Sequence, residues 1–140
     1  MFVYYNFSNR VTQLINRERN LRGLDSLEID SQLRQAAAKH NVDMVKNDFF
    51  SHSSYNGTSP FQRMKNAGYR YGWAGENLAA GFTSPKAVVD RWMRSAGHRA
   101  NILNPNFTEI GVHHKFEAND PGNLNYSHYW TANFATPLDF

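Results

Sequence analysis

Three residues that could bind or activate a ligand stand where the local hydrophobic pattern breaks. His52 lies in the polar stretch FSHSS, His98 directly follows a glycine, and Glu76 interrupts the run of small and apolar residues in GENLAAG. Two neutral imidazoles and one carboxylate are the ligand set of an open zinc site, with water in the remaining position. Each residue also has a structural interpretation as a hydrogen-bonded side chain. The three therefore form a site only if the fold brings them together.

Other candidate groups are better explained by structure than by chemistry. His40 falls on the apolar face of a predicted helix with no second ligand one turn away, which favours a buried histidine bonded to a neighbour. His113 and His114 point to opposite faces of one predicted strand, so they cannot both chelate a single ion from regular geometry. We interpret the serines that flank His52 as hydrogen-bonding loop residues. The sequence contains no HExxH zinc motif and no GxSxG nucleophile motif.

Composition limits the function classes. A chain of 140 residues suits one domain, here residues 1–140. The net charge is only +3 and the arginines are scattered, which argues against a nucleic-acid partner. Without cysteine there are no disulfides, thiolate metal sites or cysteine nucleophiles. No apolar run reaches the roughly 18 residues of a membrane span, and the opening MFVYYNFSNR lacks the features of a signal peptide. The protein is therefore expected to be cytoplasmic or a trimmed mature domain.

Four segments have the apolar spacing of amphipathic helices: 8–23, 30–48, 59–68 and 84–97. The capping residues are predicted to be Ser8 or Asn9, Ser59 and Ser84, and the terminating glycines are Gly23, Gly68 and Gly97. In the third segment Gln62 completes a predicted capping box. The side chains predicted to face the core are Val11, Leu14, Ile15, Leu21, Leu33, Ala36, Ala37, His40, Met44, Val45, Val88, Val89 and Trp92.

Beyond the fourth helical segment the period of the apolar residues changes from about 3.6 to 2, which predicts two strands. In the first strand, FTEIGVHHKF, one face is expected to carry Ile110, Val112, His114 and Phe116. In the second strand, YSHYWTANFA, one face is expected to carry Tyr126, His128, Trp130, Ala132 and Phe134. The intervening NDPGNLN contains a Pro-Gly turn and exceeds a tight hairpin in length. We predict an antiparallel pair joined by a long loop.

Four motifs carry a family resemblance. FSHSS, GENLAAG, WMRSAGHRANILNPNFTEIG and YWTANF occur in this order and resemble the signatures of the CAP superfamily in its bacterial form. That superfamily includes cysteine-rich secretory proteins, insect venom antigens and plant pathogenesis-related class 1 proteins. The similarity extends from Val11 to Phe134. It implies an α+β fold, a three-layer α-β-α sandwich with a central antiparallel sheet, and a cleft on one side.

The resemblance also implies a site. In family members of this kind the residues matching His52, Glu76 and His98 line the cleft, and a divalent metal, often zinc, is bound through the two histidines with acidic groups nearby. The second glutamate of eukaryotic members lies three residues after a helix tryptophan, and Ser95 stands at that position after Trp92. Bacterial members commonly carry serine there. The family further implies an extracellular or cell-surface location.

The leading functional hypothesis is a secreted or surface binding module whose cleft holds a divalent metal, with zinc expected, and a lipid, peptide or glycan. The competing hypothesis is a metal-dependent hydrolase of peptide or ester bonds, with Glu76 as the base and His52 and His98 as metal ligands. A third interpretation is a vestigial cleft on a domain that works through its outer surface. We expect a monomer.

Overall fold

The computed structural model describes residues 6–138. Within this part the chain forms five helices and four strands, none of the helices long and apolar enough to cross a membrane. In chain order they are α1 (Phe7–Asn20), β1 (Glu28–Ile29), α2 (Ser31–Asn47), α3 (Pro60–Asn66), β2 (Tyr71–Ala80), α4 (Pro85–Met93), α5 (Ala96–Ile102), β3 (Glu109–Phe116) and β4 (His128–Pro137). The ends of the predicted domain, residues 1–5 and 139–140, lie outside the described residues, so the single domain over 1–140 stays a prediction.

The strands form one sheet in the order β1-β3-β4-β2. β4 pairs antiparallel with both β3 and β2, which confirms the predicted antiparallel pair and its long connection. The two-residue β1 departs from the antiparallel pattern, because it pairs parallel to β3. β2 lies at the opposite edge of the sheet, and the candidate site is built around it.

Helices cover both faces of the sheet, and the predicted α-β-α sandwich is confirmed. On one face, α1, α4 and α5 pack against alternate residues of β3 and β4, with a core of Val11, Ile15, Val88, Val89, Trp92, Ile102, Ile110, Val112, Trp130, Ala132 and Phe134. On the other face, α2 and α3 contribute Leu33, Ala36, Met44, Val45 and Met64 against Tyr69, Leu78, Tyr129 and Ala135. The predicted inward positions of α2 and α4 are thus buried.

The starts of three helices follow from their capping residues. The Asp30 side chain accepts a hydrogen bond from the backbone N–H of Leu33, and Ser59 and Ser84 make the same contact for α3 and α4, each followed by proline in the first turn. The predicted capping box at α3 is only half formed, because the predicted bond from the Gln62 side chain back to the backbone of Ser59 is absent from the described structure. The Gln62 side chain donates to Asn66 instead of returning to the helix start.

The predicted start of α1 is also wrong. Asn6 is the N-cap residue and makes no side-chain cap bond, so Ser8 and Asn9 lie inside the helix. The Ser8 hydroxyl instead accepts a hydrogen bond from the backbone of β3. At the other end the helix stops before Leu21. The Leu21 side chain is exposed, so the prediction that it faces the core is wrong. Gly23 then takes a left-handed conformation in the following turn.

The largest correction concerns Gly97, which does not end a helix. α4 stops at Met93, Ser95 adopts an extended conformation with φ −108° and ψ 122°, and α5 begins at Ala96. Gly97 is therefore the second residue of a new helix, and His98 follows it in the first turn. The apolar spacing could not show this break, because Trp92 and Ile102 lie on buried faces of two different helices.

Periodicity did not predict β2. Its central residues, Gly75 to Ala79, are all buried, because α3 and the preceding loop cover one face and α5 the other. β4 is also covered on both faces. Its polar alternate positions Thr131 and Asn133 are buried under α2, where they bond Asn41 and the carbonyl of Leu33. A strand covered on both faces loses the alternation of apolar and polar residues that reveals a strand from sequence.

Candidate functional site

The edge strand β2 brings together the three residues proposed from sequence. His52 lies in the loop between α2 and α3, Glu76 in the middle of β2, and His98 in the first turn of α5. The Asn77 side-chain amide donates to the backbone carbonyl of His98 at 3.1 Å, which ties α5 to β2 one residue after Glu76. The side chain of Asn101 donates to the carbonyl of Glu76 at 3.3 Å. The two histidines thus approach the same strand from opposite layers.

His52 and Glu76 are in direct contact. The imidazole Nδ1 of His52 lies 2.9 Å from Oε1 of Glu76. The Glu76 side chain is 1% exposed, whereas that of His52 is 55% exposed. An ionised carboxylate only accepts hydrogen bonds, so Nδ1 carries the proton in the neutral ring. Nε2 of His52 has no hydrogen-bond partner within residues 6–138, and its lone pair is available to a ligand.

Arg63 holds the other oxygen of Glu76, and it was missed in the sequence. Its Nη2 donates to Oε2 of Glu76 at 2.7 Å, and its side chain is 8% exposed. In the sequence Arg63 is one of several scattered arginines, with nothing beside it that marks a site. The signal that could have revealed it is helical spacing, because Pro60, Arg63 and Met64 occupy the buried face of α3.

His98 is held in a similar way by a different residue. Its Nδ1 lies 2.9 Å from the hydroxyl of Ser95, the N-cap position of α5, and Nε2 has no hydrogen-bond partner in the described part of the chain. Burial lowers the pKa of His98 below its ordinary value, and the nearby charges of His52 and Arg91 lower it further. His98 is therefore neutral at pH 7, the state in which an imidazole binds metal.

His40 has the structural role that its sequence position predicts. It is fully buried, and Nε2 donates to the backbone carbonyl of Ser51 at 2.7 Å. Burial lowers the pKa of His40, and the positive charge of Arg63 lowers it further. The predicted hydrogen bond to a neighbour is confirmed, and that neighbour directly precedes His52.

His113 and His114 lie on opposite faces of β3, as predicted, and neither contacts His52, Glu76 or His98 in the described structure. The Asn41 amide contacts Nδ1 of His113, while Nε2 of His114 lies 2.8 Å from Nδ1 of His128. Burial lowers the pKa of His113 to about 4 and that of His114 to about 3. Both rings stay neutral and pack within the fold.

The donor atoms of His52 and His98 are of a type that binds a divalent metal, whereas the Glu76 carboxylate contacts the His52 ring. Within residues 6–138, no three His, Cys, Asp or Glu side chains are arranged to hold an ion together. Each of the two imidazoles has an Nε2 that makes no hydrogen bond to the described part of the chain, and imidazole nitrogen is a donor that zinc favours, with water left to complete the coordination. Both oxygens of Glu76 are engaged, and a carboxylate behind a ligating histidine orients the ring and fixes its tautomer. Zinc ligation by His52, His98 and Glu76 stays a prediction, as does a catalytic-base role for Glu76.

The fold and the cleft motifs correspond to a known family. The chain belongs to the CAP family, the cysteine-rich secretory protein family, whose model matches residues 12–134. The described chain contains no cysteine, so its sandwich is stabilised without the disulfides that the family name suggests.

One relative and two solved structures from bacteria illustrate this similarity. The Bacillus subtilis protein YkwD is 47% identical over 106 residues, which cover 76% of this chain and 41% of YkwD. An extracellular protein of Bacillus anthracis that contains an SCP domain superposes with a TM-score of 0.81 at 30% identity, covering 94% of this chain and 40% of that chain. An outer surface protein of Borrelia burgdorferi gives a TM-score of 0.87 at 21% identity, covering 98% of this chain and 97% of that chain. The chain thus spans less than half of YkwD and nearly all of the Borrelia protein.

Proposed function

We propose that this chain is an extracellular CAP domain that binds a divalent metal through Nε2 of His52 and Nε2 of His98, with zinc the expected ion. The metal and the cleft around it hold a lipid, peptide or glycan ligand. The observation that carries this proposal is the similar hydrogen bonding of the His52 and His98 imidazole rings. In each ring Nδ1 contacts a fixed partner, Glu76 or Ser95, and Nε2 has no hydrogen-bond partner within residues 6–138.

The extracellular location is supported by the relatives. The similar solved structures include an extracellular protein and an outer surface protein, and the family itself is named for secretion. These descriptions belong to those proteins, and they make secretion the best hypothesis for this one.

The hydrolase hypothesis receives less support from the geometry. A general base has to accept a proton from water or substrate with a free lone pair near the reacting atom. Glu76 is almost fully buried, and both of its oxygens already accept charge-assisted or imidazole hydrogen bonds. The contacts of Glu76 with His52 and Arg63 are those of a carboxylate that orients the His52 ring, so we favour ligand binding over catalysis.

Zinc titration calorimetry on the metal-free protein tests the metal site. We expect His52→Ala and His98→Ala each to weaken zinc binding at least tenfold, because each removes one direct ligand. Ser53→Ala is the matched control, since Ser53 is exposed next to His52 and its hydroxyl makes no hydrogen bond in the described structure. Unchanged affinity in both histidine variants would exclude the proposed ligand pair.

The ligand class requires a separate experiment. Mass spectrometry of molecules retained by protein purified from its native source identifies the occupant, and turnover assays with ester and peptide substrates follow with and without zinc. A binding module retains a ligand that the His52→Ala variant loses and shows no turnover. Zinc-dependent turnover that disappears in His52→Ala would favour the hydrolase instead.

A further inference from the structure

Arg63 joins the sheet to the loop that carries His52. Besides its contact with Glu76 on β2, its Nη1 donates to the backbone carbonyl of His52 at 2.7 Å and to the Ser54 hydroxyl at 2.9 Å. The planar guanidinium can make these bonds at once because its nitrogens are fixed in a fork, which a lysine ammonium cannot reproduce. One buried side chain therefore sets the distance between Glu76 and the backbone of His52.

The same side chain acts on the His52 ring through Glu76. Arg63 occupies Oε2, which leaves Oε1 facing Nδ1 of His52. Because the carboxylate cannot rotate without losing one of these bonds, the ring is held with Nδ1–H toward the protein and the Nε2 lone pair outward. The order of contacts runs from Arg63 to Glu76 to His52.

A second buried side chain fixes the preceding residue. Nε2 of His40 donates to the carbonyl of Ser51, directly before the His52 carbonyl that Arg63 holds. Two successive carbonyls of the loop are thus bound by donors from α2 and α3. The loop around His52 is exposed, and these contacts give it a defined position over β2.

Stability alone does not explain a buried arginine and glutamate at this place. Desolvation of two charges offsets much of their attraction, so a well-packed apolar pair of similar volume is often as stable or more stable. A requirement for an oriented imidazole does explain the pair, because the carboxylate has to stay ionised and fixed.

We propose that Arg63 is a positioning residue of the candidate site: it fixes Glu76 and the His52 backbone so that the His52 ring presents Nε2 away from Glu76 and outward. The effect on metal affinity rests on the proposed metal-binding function. The effect on the tautomer and position of His52 is a property of the metal-free protein and does not depend on it.

The test compares Arg63→Met and Arg63→Lys with wild type in two measurements. The first is the tautomer of His52 in metal-free protein at pH 8, where an ordinary imidazole is neutral, read from long-range ¹H–¹⁵N correlation spectra. The second is zinc affinity by calorimetry. Arg34→Met is the matched control, because Arg34 also bonds a strand carbonyl, that of Val112, but lies outside the cleft.

We expect wild type and Arg34→Met to show the Nδ1–H tautomer. Arg63→Met should show a mixture of tautomers and bind zinc about tenfold or more weakly, which is the usual effect of losing a hydrogen-bonded group that orients a metal-ligating histidine. Arg63→Lys keeps a positive charge beside Glu76 but cannot also hold the His52 carbonyl. Its zinc affinity should fall between those of the other two proteins.

Each alternative outcome has a distinct meaning. A wild-type tautomer and affinity in folded Arg63→Met would overturn the proposal, and if that variant does not fold, wild-type values in Arg63→Lys would do the same. In Arg63→Met, an unchanged tautomer would also overturn the proposal at whatever zinc affinity, because Glu76 would then hold the ring without Arg63. A changed tautomer in a protein that never binds zinc would support positioning while disproving the metal-binding function.

Discussion

Nη2 of Arg63 lies 2.7 Å from Oε2 of Glu76, and neither side chain is appreciably exposed. This contact links α3 to the edge strand β2 through two charges removed from water. Such a pair is strongly destabilised when one partner is lost, because the remaining charge stays buried without compensation.

The first prediction concerns the energetics of this pair. Arg63→Met and Glu76→Leu should each lower the free energy of unfolding by about 3 kcal/mol or more, as expected for a broken buried ion pair. The double variant should lose clearly less than the sum, because neither charge remains. Urea unfolding of the four metal-free proteins measures the coupling, and additive losses would show that the two side chains do not interact as a buried pair.

A second prediction uses two glycines with opposite surroundings. A Cβ on Gly111 would lie 2.2 Å from the backbone nitrogen of Arg34, so α2 packs on β3 at a distance that only glycine allows. Gly111→Ala should therefore cost about 3 kcal/mol or more through overpacking against backbone. Thermal or urea unfolding measures the loss, and a fully stable variant would contradict the close approach.

Gly97 is the control for this experiment and also tests the corrected helix boundary. A Cβ there meets no atom within 4 Å, and its φ is not positive. Because Gly97 lies inside α5, Gly97→Ala should leave stability unchanged or raise it by about 0.5 kcal/mol. Had Gly97 ended a helix in the left-handed conformation, the same substitution would destabilise the protein.

The third prediction is a loss of stability in mild acid. Burial lowers the pKa of His114 to about 3, whereas an unfolded histidine titrates near 6.5. Between these values the unfolded chain binds more protons than the folded one, so stability falls as pH decreases from about 6.5 toward 3. From pH 7 to pH 5 this residue should contribute a loss of up to about 2 kcal/mol.

His114→Phe isolates this contribution. Phenylalanine keeps the ring packing against Trp130, whose centroid lies 4.2 Å away, and cannot be protonated. The variant should lose less stability than wild type between pH 7 and pH 5 in urea titrations, whatever its absolute stability at pH 7. An equal pH dependence in both proteins would place the acid sensitivity elsewhere.

A fourth prediction separates scaffold from site. Trp92 is fully buried and its Nε1 donates to the carbonyl of Leu78, so Trp92→Ala should cost about 3 to 5 kcal/mol. His98 is half-buried and makes one side-chain hydrogen bond, so His98→Ala should cost about 1 kcal/mol. Urea titrations of the metal-free variants compare them. Similar losses would return His98 to a structural role.

Much of the scaffold could be predicted from sequence because its signals are local. In α2 the structure confirms the predicted apolar face, and Asp30 at the N-cap accepts a hydrogen bond from the backbone N–H of Leu33. The β3–β4 pair follows from a period of two on β3 and a Pro-Gly turn. These features depend on residues a few positions apart, where propensity and pattern act directly.

The site was harder to predict because it depends on contacts between distant segments. Arg63 looks like a surface residue until α3 is placed against β2, and Glu76 lies on a strand that periodicity did not show. Gly97 was predicted to end a helix just before His98, but the chain bends at Ser95, and Gly97 and His98 lie in the first turn of the next helix. The resemblance to the CAP superfamily indicated His52, Glu76 and His98 together, but it did not indicate Arg63, which bonds Glu76.

The last prediction concerns Ser95, which stands where eukaryotic members of the superfamily carry the second glutamate. Its hydroxyl lies 2.9 Å from Nδ1 of His98, in the same relation to that ring as Glu76 is to His52. A hydroxyl can donate or accept, so it does not force Nε2 of His98 to be unprotonated, whereas a carboxylate does. Ser95→Glu should therefore fix the metal-binding tautomer and add negative charge near a bound dication.

We expect Ser95→Glu to bind zinc more tightly by roughly 1 kcal/mol at low salt, about fivefold in affinity, for a partly screened charge. Ser95→Ala should bind more weakly than wild type because it leaves the His98 ring without its partner. Ser53→Glu is the matched control, since it adds the same charge on an exposed loop beside His52, at a position whose present side chain bonds neither Nδ1. Calorimetric titrations of the four proteins decide the result. An equal gain in both glutamate variants would reduce the effect to general electrostatic attraction, and no gain in Ser95→Glu would mean that a longer side chain at this position does not reach His98.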